Sequence, residues 1–233
     1  AGIAISVVIL PQLTKNIITG NKAKILKIQN KALELSMFLS LPASIALVIG
    51  SEEIISALFG YGSFNNEAVS NSAKALFYFS LGLPAFGLIK VFSTFFFANH
   101  DTKTPFYISL IAVTLNVLVS VYYFKSIGFI IIPIATTFSS WFNAVLLFIF
   151  LKNRDLFNLN KTFLVKFLKI LFASIFMGIF FNFVLSIFKN ELIYDYKFKS
   201  LYLILSVSLG LIFYIILSYL IKAFNSKDLQ LKY

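Results

Sequence analysis

Side chains that could perform covalent or metal chemistry are nearly absent from this sequence. It contains no cysteine and a single histidine, His100, which excludes disulfides, thiolate metal sites and histidine metal clusters. A glycine-rich phosphate loop, an HExxH motif and a GxSxG motif are also absent. We therefore predict that the protein is not an enzyme and holds no resident cofactor.

Three ionisable residues lie within apolar runs: Lys90, Glu34 and Lys74. Such groups are costly inside a membrane and usually face a partner or a water-filled cavity. Lys90 is therefore a candidate for binding an anionic substrate, or its side chain extends to the membrane surface as an anchor. Glu34 and Lys74 have the same two interpretations, a substrate contact or a residue at the membrane surface.

Neutral polar side chains form a second group of candidates. Asn116 and Ser120 are four residues apart on one face of a predicted helix, and Thr136 lies in the next helix. Their oxygen atoms could hold Na⁺, or the side chains could make ordinary hydrogen bonds between helices. Asn143 is a candidate for substrate binding or for another interhelical hydrogen bond.

The composition places these residues in a membrane protein. Of 233 residues, 59% are hydrophobic and 12% are charged, whereas about 25% are charged in a soluble domain. The mean hydropathy is +0.90, and several apolar runs approach the ~20 residues that a spanning helix needs. The net charge of +11 comes from lysines between these runs, so it does not indicate nucleic-acid binding. We predict an all-α, polytopic transmembrane bundle.

About seven membrane segments are predicted. They cover approximately residues 2–18, 32–49, 68–98, 105–124, 129–151, 162–188 and 199–221. The apolar stretch 54–59 is too short to span and is expected to form an interfacial half-helix. Because the chain starts inside an apolar run without an initiator methionine, we expect it to be a fragment.

Local signals indicate where the segments bend or begin. We expect Pro11 to interrupt the first segment, Pro84 to kink the third and Pro133 to break the fifth. The fourth segment is expected to begin at Pro105, with Thr104 as its cap. Broken helices of this kind are frequent where transporters expose backbone to a cavity.

Basic residues predict the orientation of the segments. Most of them fall on one side of the predicted membrane: Lys15, Lys22, Lys24, Lys27, Lys31, Lys103, Lys152, Arg154, Lys161, Lys166, Lys169, Lys222, Lys227 and Lys232. The opposite side holds far fewer: Lys74, Lys125, Lys189, Lys197 and Lys199. Because cytoplasmic loops retain Lys and Arg, we expect the first side and the C-terminus to be cytoplasmic.

Several short motifs occur in an order that resembles the MurJ (MviN) family of lipid II flippases. The strongest is FFFANHDTKTP at 95–105, which is similar to the family's FYAxxDTxTP segment and includes Asp101, Thr102, Thr104 and Pro105. The others are LPQL at 10–13, LPA at 41–43, LFGYGSF at 58–64, YFSLGLP at 78–84 and IATT through WFNA at 134–144. Together they cover about residues 1–155.

The resemblance implies the C-terminal half of a fourteen-helix MATE-like transporter. Residues 1–155 would form the C-terminal lobe, and residues 156–233 would supply two helices that form a lipid-tail groove. The implied substrate is an undecaprenyl-diphosphate-linked peptidoglycan precursor, flipped across the bacterial inner membrane by alternating access. Because some carriers of the superfamily are cation-coupled, Na⁺ and H⁺ are the candidate coupling ions. The principal diphosphate-binding residues would then lie in the N-terminal half of the same protein, which is the expected partner of this chain.

Two other functions are compatible with the sequence. One is an O-antigen, polysaccharide or multidrug exporter of the same superfamily. The other is a membrane scaffold for cell-wall synthesis that transports nothing. Broken helices and lysines within apolar runs favour transport over the scaffold.

Overall fold

The computed structural model describes residues 2–194 and 196–223. Within these residues the chain is helical and has no strand. The helices are α1 (Gly2–Ile18), α2 (Lys22–Ile49), α3 (Ser51–Phe59), α4 (Asn66–Leu81), α5 (Leu83–Ala98), α6 (Lys103–Ile127), α7 (Ile131–Asn153), α8 (Lys161–Ile187) and α9 (Lys199–Leu220), and a 3₁₀ turn at Gly128–Ile130 joins α6 to α7. The predicted all-α class is confirmed. Lys227 and Lys232, which contributed to the predicted orientation, lie outside the described residues.

Length and hydropathy identify the helices that can cross a membrane. Five described stretches qualify: 22–49, 66–98, 103–153, 161–187 and 199–220. The stretch 103–153 has 51 residues, about 77 Å of helix and more than twice the ~30 Å hydrocarbon thickness. It therefore accounts for two crossings, α6 and α7. With the shorter apolar helix α1, these stretches match the seven predicted segments of a multi-pass membrane protein.

Proline acts on the helices differently from the prediction at two positions. Pro11 lies inside an uninterrupted α1, so the expected interruption there is wrong. Pro133 is the third residue of α7, so it starts a helix rather than breaking one mid-span. In the first turn a backbone N–H has no intrahelical acceptor, so proline costs little there. The expected break near Pro84 is confirmed, since α4 ends at Leu81 and α5 begins at Leu83.

The start of α6 also differs from the prediction. The helix begins at Lys103, which places Thr104 inside it, so Thr104 is not the cap. The Asp101 Oδ1 atom instead accepts a hydrogen bond of 3.0 Å from the Thr104 backbone N–H. Asp satisfies an otherwise unpaired N–H at a helix start as well as Thr does. Pro105 occupies the first turn, as its missing N–H allows.

The chain divides into two compact units, which are described separately. Unit 1 comprises Ala1–Ser40 and Gly82–Leu164, and unit 2 comprises Leu41–Leu81 and Val165–Tyr233. The expected division at residues 155 and 156 concerns the role of the segments in a whole transporter and stays a prediction.

Unit 1 is organised around an aromatic cluster at one end of α5 and α7. Phe157, which follows α7 and is 1% exposed, packs against three phenylalanines. Its ring centroid lies 5.5 Å from that of Phe95 and 6.1 Å from those of Phe92 and Phe148. Tilted and edge-to-face aromatic pairs at such distances are favourable beyond their buried area. The segment after α7 is therefore anchored in the core of unit 1.

Unit 2 depends on close approaches between helices at glycines. A Cβ atom added at Gly178 of α8 would lie 2.5 Å from Ile45 Cγ2 and 2.9 Å from Ile49 Cδ1, both on α2. Nearby, the Phe180 and Phe213 rings of α8 and α9 stack with centroids 4.4 Å apart. Small residues let helix backbones approach closely in membranes, where dispersion contacts drive association.

Replacing Gly178 by valine should weaken the packing of α2 against α8. Overpacking of this kind costs about 1–3 kcal/mol, so the purified full-length protein should unfold at a lower temperature than the wild type. Gly210→Ala is the matched control, because its added Cβ would lie 3.4 Å from Phe181, an ordinary contact. Equal melting temperatures for Gly178→Val and Gly210→Ala would contradict this account of the interface.

Candidate functional site

Lys90 and Lys74 both project from membrane helices as exposed side chains. Lys90 is on α5 in unit 1, eight residues from the end of that helix at Ala98 and so about 12 Å along its axis. Its backbone carbonyl accepts hydrogen bonds from Ser6 of α1 at 3.2 Å and from Thr94 at 2.8 Å. Lys74 is on α4 in unit 2. Lys90 thus has an exposed side chain within the stretch 66–98, which is long and apolar enough to cross a membrane, where a charged side chain is costly.

Glu34 is held by a neighbouring lysine on the same helix. Its Oε2 lies 3.5 Å from the Nζ of Lys31, and the two side chains are 12% and 17% exposed respectively. A pair three residues apart on one helix face is a local interaction. This pairing favours a structural role for Glu34. Since α2 begins at Lys22, Glu34 lies near the middle of that helix and not at the end of the segment, where the sequence placed it.

Asn116, Ser120 and Thr136 are brought together as the sequence predicted. Asn116 Nδ2 donates to the Thr136 hydroxyl at 2.9 Å and to the Ser139 hydroxyl at 3.3 Å. The Ser120 hydroxyl donates to Asn116 Oδ1 at 3.4 Å. Thr136 and Ser139 in turn donate to backbone carbonyls of α7. The cluster forms a connected network between α6 and α7, with an amide N–H rather than an oxygen facing Thr136.

The donor set of this cluster is poorly suited to a strong cation site. It contains neutral oxygen atoms and no carboxylate, whereas strong sites for hard cations usually include carboxylates. Among the described residues, no group of three or more His, Asp or Glu side chains could hold a metal ion. The contacts support the interhelical hydrogen-bond interpretation of Asn116, Ser120 and Thr136.

Asn143 also lies between α6 and α7. It is 7% exposed, and its Nδ2 donates a long hydrogen bond of 3.4 Å to the Ser109 hydroxyl. Its Oδ1 is buried and has no hydrogen-bond partner among the described protein atoms. Asn143 therefore belongs to the helix interface of unit 1 and does not reach an open surface.

Asp101, in the motif at 95–105, joins the α5–α6 connection to the α7–α8 connection at one end of unit 1. Asp101 Oδ2 accepts a hydrogen bond of 2.5 Å from the Arg154 guanidinium, which follows α7. Partial burial raises the pKa of Asp101, but the Thr104 backbone N–H, the Thr104 hydroxyl and Arg154 together hold this pKa below its usual value. Thr102 is exposed and Pro105 is buried. Asp101 in this motif therefore has a structural role, holding two connections together. The sequence did not predict that its partner is Arg154.

Two amides of α2 bind the same segment after α7. Gln29 donates to the Leu156 carbonyl at 2.8 Å. Asn30 Nδ2 donates to the Asn158 carbonyl at 3.1 Å, and Asn30 Oδ1 accepts from the Asn160 backbone N–H at 3.1 Å. The α5–α6 connection, the α7–α8 connection and the first half of α2 therefore meet at one end of unit 1. Their basic residues predicted a common side of the membrane.

The sequence also did not reveal the buried position of Lys199. The sequence groups it with exposed loop lysines, but it is 0% exposed at the first position of α9. Its Nζ donates to the carbonyls of Gly60 at 2.6 Å and Tyr194 at 2.5 Å. The same Nζ lies 4.3 Å and 4.6 Å from the ring centroids of Tyr61 and Tyr194, within cation–π range. Lys199 therefore fastens α9 to the segment after α3.

Comparison with known proteins identifies the family. A family model described as "Lipid II flippase MurJ" matches residues 1–203. Curated relatives named "Probable lipid II flippase MurJ" include that of Rickettsia prowazekii, 29% identical over 231 residues, and that of Thermotoga maritima, 33% identical over 221 residues. That of Rhizobium meliloti is 40% identical over 147 residues, or 63% of this chain and 28% of the relative.

A solved structure shows the same fold. The structure titled "Lipid II flippase MurJ, inward closed conformation" superimposes with a TM-score of 0.74 at 23% sequence identity, and the match covers 94% of this chain and 43% of that one. The Rickettsia and Thermotoga matches cover 96% and 95% of this chain but only 44% and 42% of the relatives. The chain thus spans less than half the length of these proteins. Since the family model matches well over half of its residues, this chain belongs to the lipid II flippase MurJ family.

Proposed function

We propose that this chain is the C-terminal part of a lipid II flippase. The whole protein would move the undecaprenyl-diphosphate-linked disaccharide-pentapeptide from the inner to the outer leaflet of a bacterial inner membrane. The observation that carries the proposal is the family match over residues 1–203, supported by the relatives named as probable lipid II flippases. The exporter and scaffold alternatives have no comparable support.

The proposed mechanism is alternating access. Two lobes rock about a midplane site, the diphosphate headgroup enters a cationic cavity, and the lipid tail stays in the bilayer. Unit 1 supports this role because its hydrogen-bonded clamps, Asp101 with Arg154 and Asn30 with Asn160, fix its helices to one another. A unit held in this way, which contains most of the predicted lobe, can move as a body. Lys90 would contribute positive charge to the cavity.

The proposed orientation places the C-terminus and the basic end of unit 1 in the cytoplasm. The lysine-bearing α5–α6 and α7–α8 connections meet the first half of α2 at that end, which supports the orientation because Lys and Arg are retained on the cytoplasmic side. The cysteine-free sequence allows a single cysteine at Lys152 to report the side by impermeant labelling.

We also propose that α8 and α9 line a groove for the lipid tail. Both helices carry exposed large apolar residues along their length, including Phe176 and Ile179 on α8 and Leu205 and Ile212 on α9. Apolar helix faces accommodate an acyl or prenyl chain at no desolvation cost.

Ion coupling stays a hypothesis for the whole protein. If Na⁺ drives transport through Asn116, Ser120 and Thr136, the Asn116 amide must turn so that its oxygen faces Thr136. Flipping that proceeds equally well in Na⁺-free medium would remove this role, and H⁺ would remain as the candidate ion.

Depletion of the full-length protein in its own cell tests the proposed function. Lipid-linked peptidoglycan precursor should accumulate on the inner leaflet, because the protein that moves it to the outer leaflet would be missing. Leaflet-specific quantification of the precursor gives the readout. If the precursor does not accumulate, the fold assignment stands and the substrate must be another lipid-linked sugar or a small molecule.

Replacing Lys90 by glutamine in the full-length protein should reduce flipping about tenfold to a hundredfold. One charge-assisted contact contributes about 1.5–3 kcal/mol, and glutamine is a polar side chain of similar size, slightly shorter, without the charge. Flipping of a labelled precursor in proteoliposomes measures the effect at matched protein levels. Lys125→Gln is the control, because Lys125 is exposed at the far end of α6. Unchanged flipping and substrate affinity in Lys90→Gln would refute the cavity role.

Polar substitutions on the groove helices should slow flipping more than equivalent substitutions on another lipid-exposed helix. We expect Ile179→Gln on α8 to reduce the rate severalfold, because the lipid tail would meet an amide. Val113→Gln on α6 is the matched control: Ile179 and Val113 are 62% and 60% exposed. Equal rates for the two variants in the proteoliposome assay would argue against the groove.

A further inference from the structure

The connection between α1 and α2 concentrates positive charge. Between Lys15 and Lys31 the sequence contains five lysines and no acidic residue. Four of them have exposed side chains and form what is here called the basic corner: Lys15, Lys22, Lys24 and Lys27.

Hydrogen bonds fix the backbone of the turn that carries the basic corner. Gly20 adopts a positive φ of 68°, which glycine tolerates without strain. Its N–H donates to the Ile17 carbonyl at 3.0 Å, and the Asn21 N–H donates to the Asn16 carbonyl at 3.1 Å. This hydrogen-bond pair closes α1 in a Schellman arrangement. Asn21 Oδ1 then accepts the Lys24 N–H at 3.1 Å and caps α2, so the lysines are carried on a fixed turn.

The two ion pairs that unit 1 makes among its described residues do not use these four lysines. Glu34 pairs with Lys31 at 3.5 Å, and Asp101 pairs with Arg154 at 2.5 Å. In the part of the chain that the structure describes, the four lysines of the basic corner make no ion pair with a carboxylate. Their charge is therefore available to an external anion.

Apolar side chains beside these lysines indicate what kind of anion that is. Ile18 is 78% exposed and Leu26 is 36% exposed. Both lie beside the lysines of the basic corner, Ile18 at the end of α1 and Leu26 in the second turn of α2. Exposed apolar groups next to lysines suit the boundary between headgroups and acyl chains, where the stem of lysine stays in the apolar layer and its ammonium reaches the phosphate. A soluble polyanion would leave Ile18 in water.

We propose that the basic corner binds the headgroups of anionic phospholipids in the leaflet that it faces. Juxtamembrane lysine clusters attract anionic lipids through contacts that fall off within a Debye length. The lysines of the basic corner would thereby hold a local shell of anionic lipid around unit 1. This inference goes beyond the transport of lipid II and does not depend on the identity of the substrate.

Lipid selectivity of the full-length protein tests the proposal. The protein is reconstituted in phosphatidylcholine nanodiscs that contain trace spin-labelled phosphatidylglycerol or spin-labelled phosphatidylcholine. Electron paramagnetic resonance then gives the fraction of each probe that is immobilised at the protein surface. No lipid-linked precursor is present, so binding of phosphatidylglycerol reports the phospholipid alone.

For the wild type we expect a threefold to tenfold preference for phosphatidylglycerol at low salt, reduced by added salt. The combined variant Lys15→Gln, Lys22→Gln, Lys24→Gln and Lys27→Gln should lose most of this preference. The corresponding lysine-to-arginine variant should keep it, since the charge is retained. The control variant Lys74→Gln with Lys125→Gln removes two exposed lysines elsewhere and should resemble the wild type.

Four outcomes would overturn the proposal. The first three are no preference in the wild type, an unchanged preference in the fourfold glutamine variant, and an equal loss in the Lys74 and Lys125 control. The fourth is a loss of preference in the arginine variant, because a headgroup phosphate binds either cation.

Discussion

The hydrocarbon layer imposes the constraint on which this structure depends: backbone and side-chain polar groups must find partners within the chain. Helices satisfy the backbone, and hydroxyl groups inside them donate back to carbonyls one turn earlier. Ser40 donates to the Ser36 carbonyl, Thr94 to that of Lys90 and Ser174 to that of Ile170. With these groups satisfied locally, glycines and small residues can bring the helices together. Dispersion contacts then stabilise each unit.

Long-range polar contacts consequently concentrate at the ends of the helices. In unit 1, Arg154 with Asp101 and Asn30 with Asn160 tie the α5–α6 connection, the α7–α8 connection and α2 together beside the buried ring of Phe157. In unit 2, Lys199 reaches two carbonyls and two tyrosine rings at the start of α9. These polar contacts add specific fixed points to the packing of the helices.

The side chains proposed to act in transport differ in character from those that stabilise the fold. Lys90 is exposed within a membrane span, whereas Glu34, Asn116 and Asn143 are occupied by contacts inside unit 1. No carboxylate among the described residues forms an ion pair with Lys90, and such a charge within an apolar span is the better candidate for an anionic substrate. The polar network between α6 and α7 is better explained as helix packing.

The sequence by itself determined the fold class, the seven membrane segments and the family, because apolar runs, breakers and motifs are local properties of the chain. It also predicted that Asn116, Ser120 and Thr136 meet, since helical spacing places two of them on one face. The tertiary structure alone decided that Lys199 is buried, that Asp101 pairs with Arg154 and that Pro11 leaves α1 uninterrupted. These outcomes depend on partners distant in sequence and on packing around each helix, which local spacing and hydropathy do not encode.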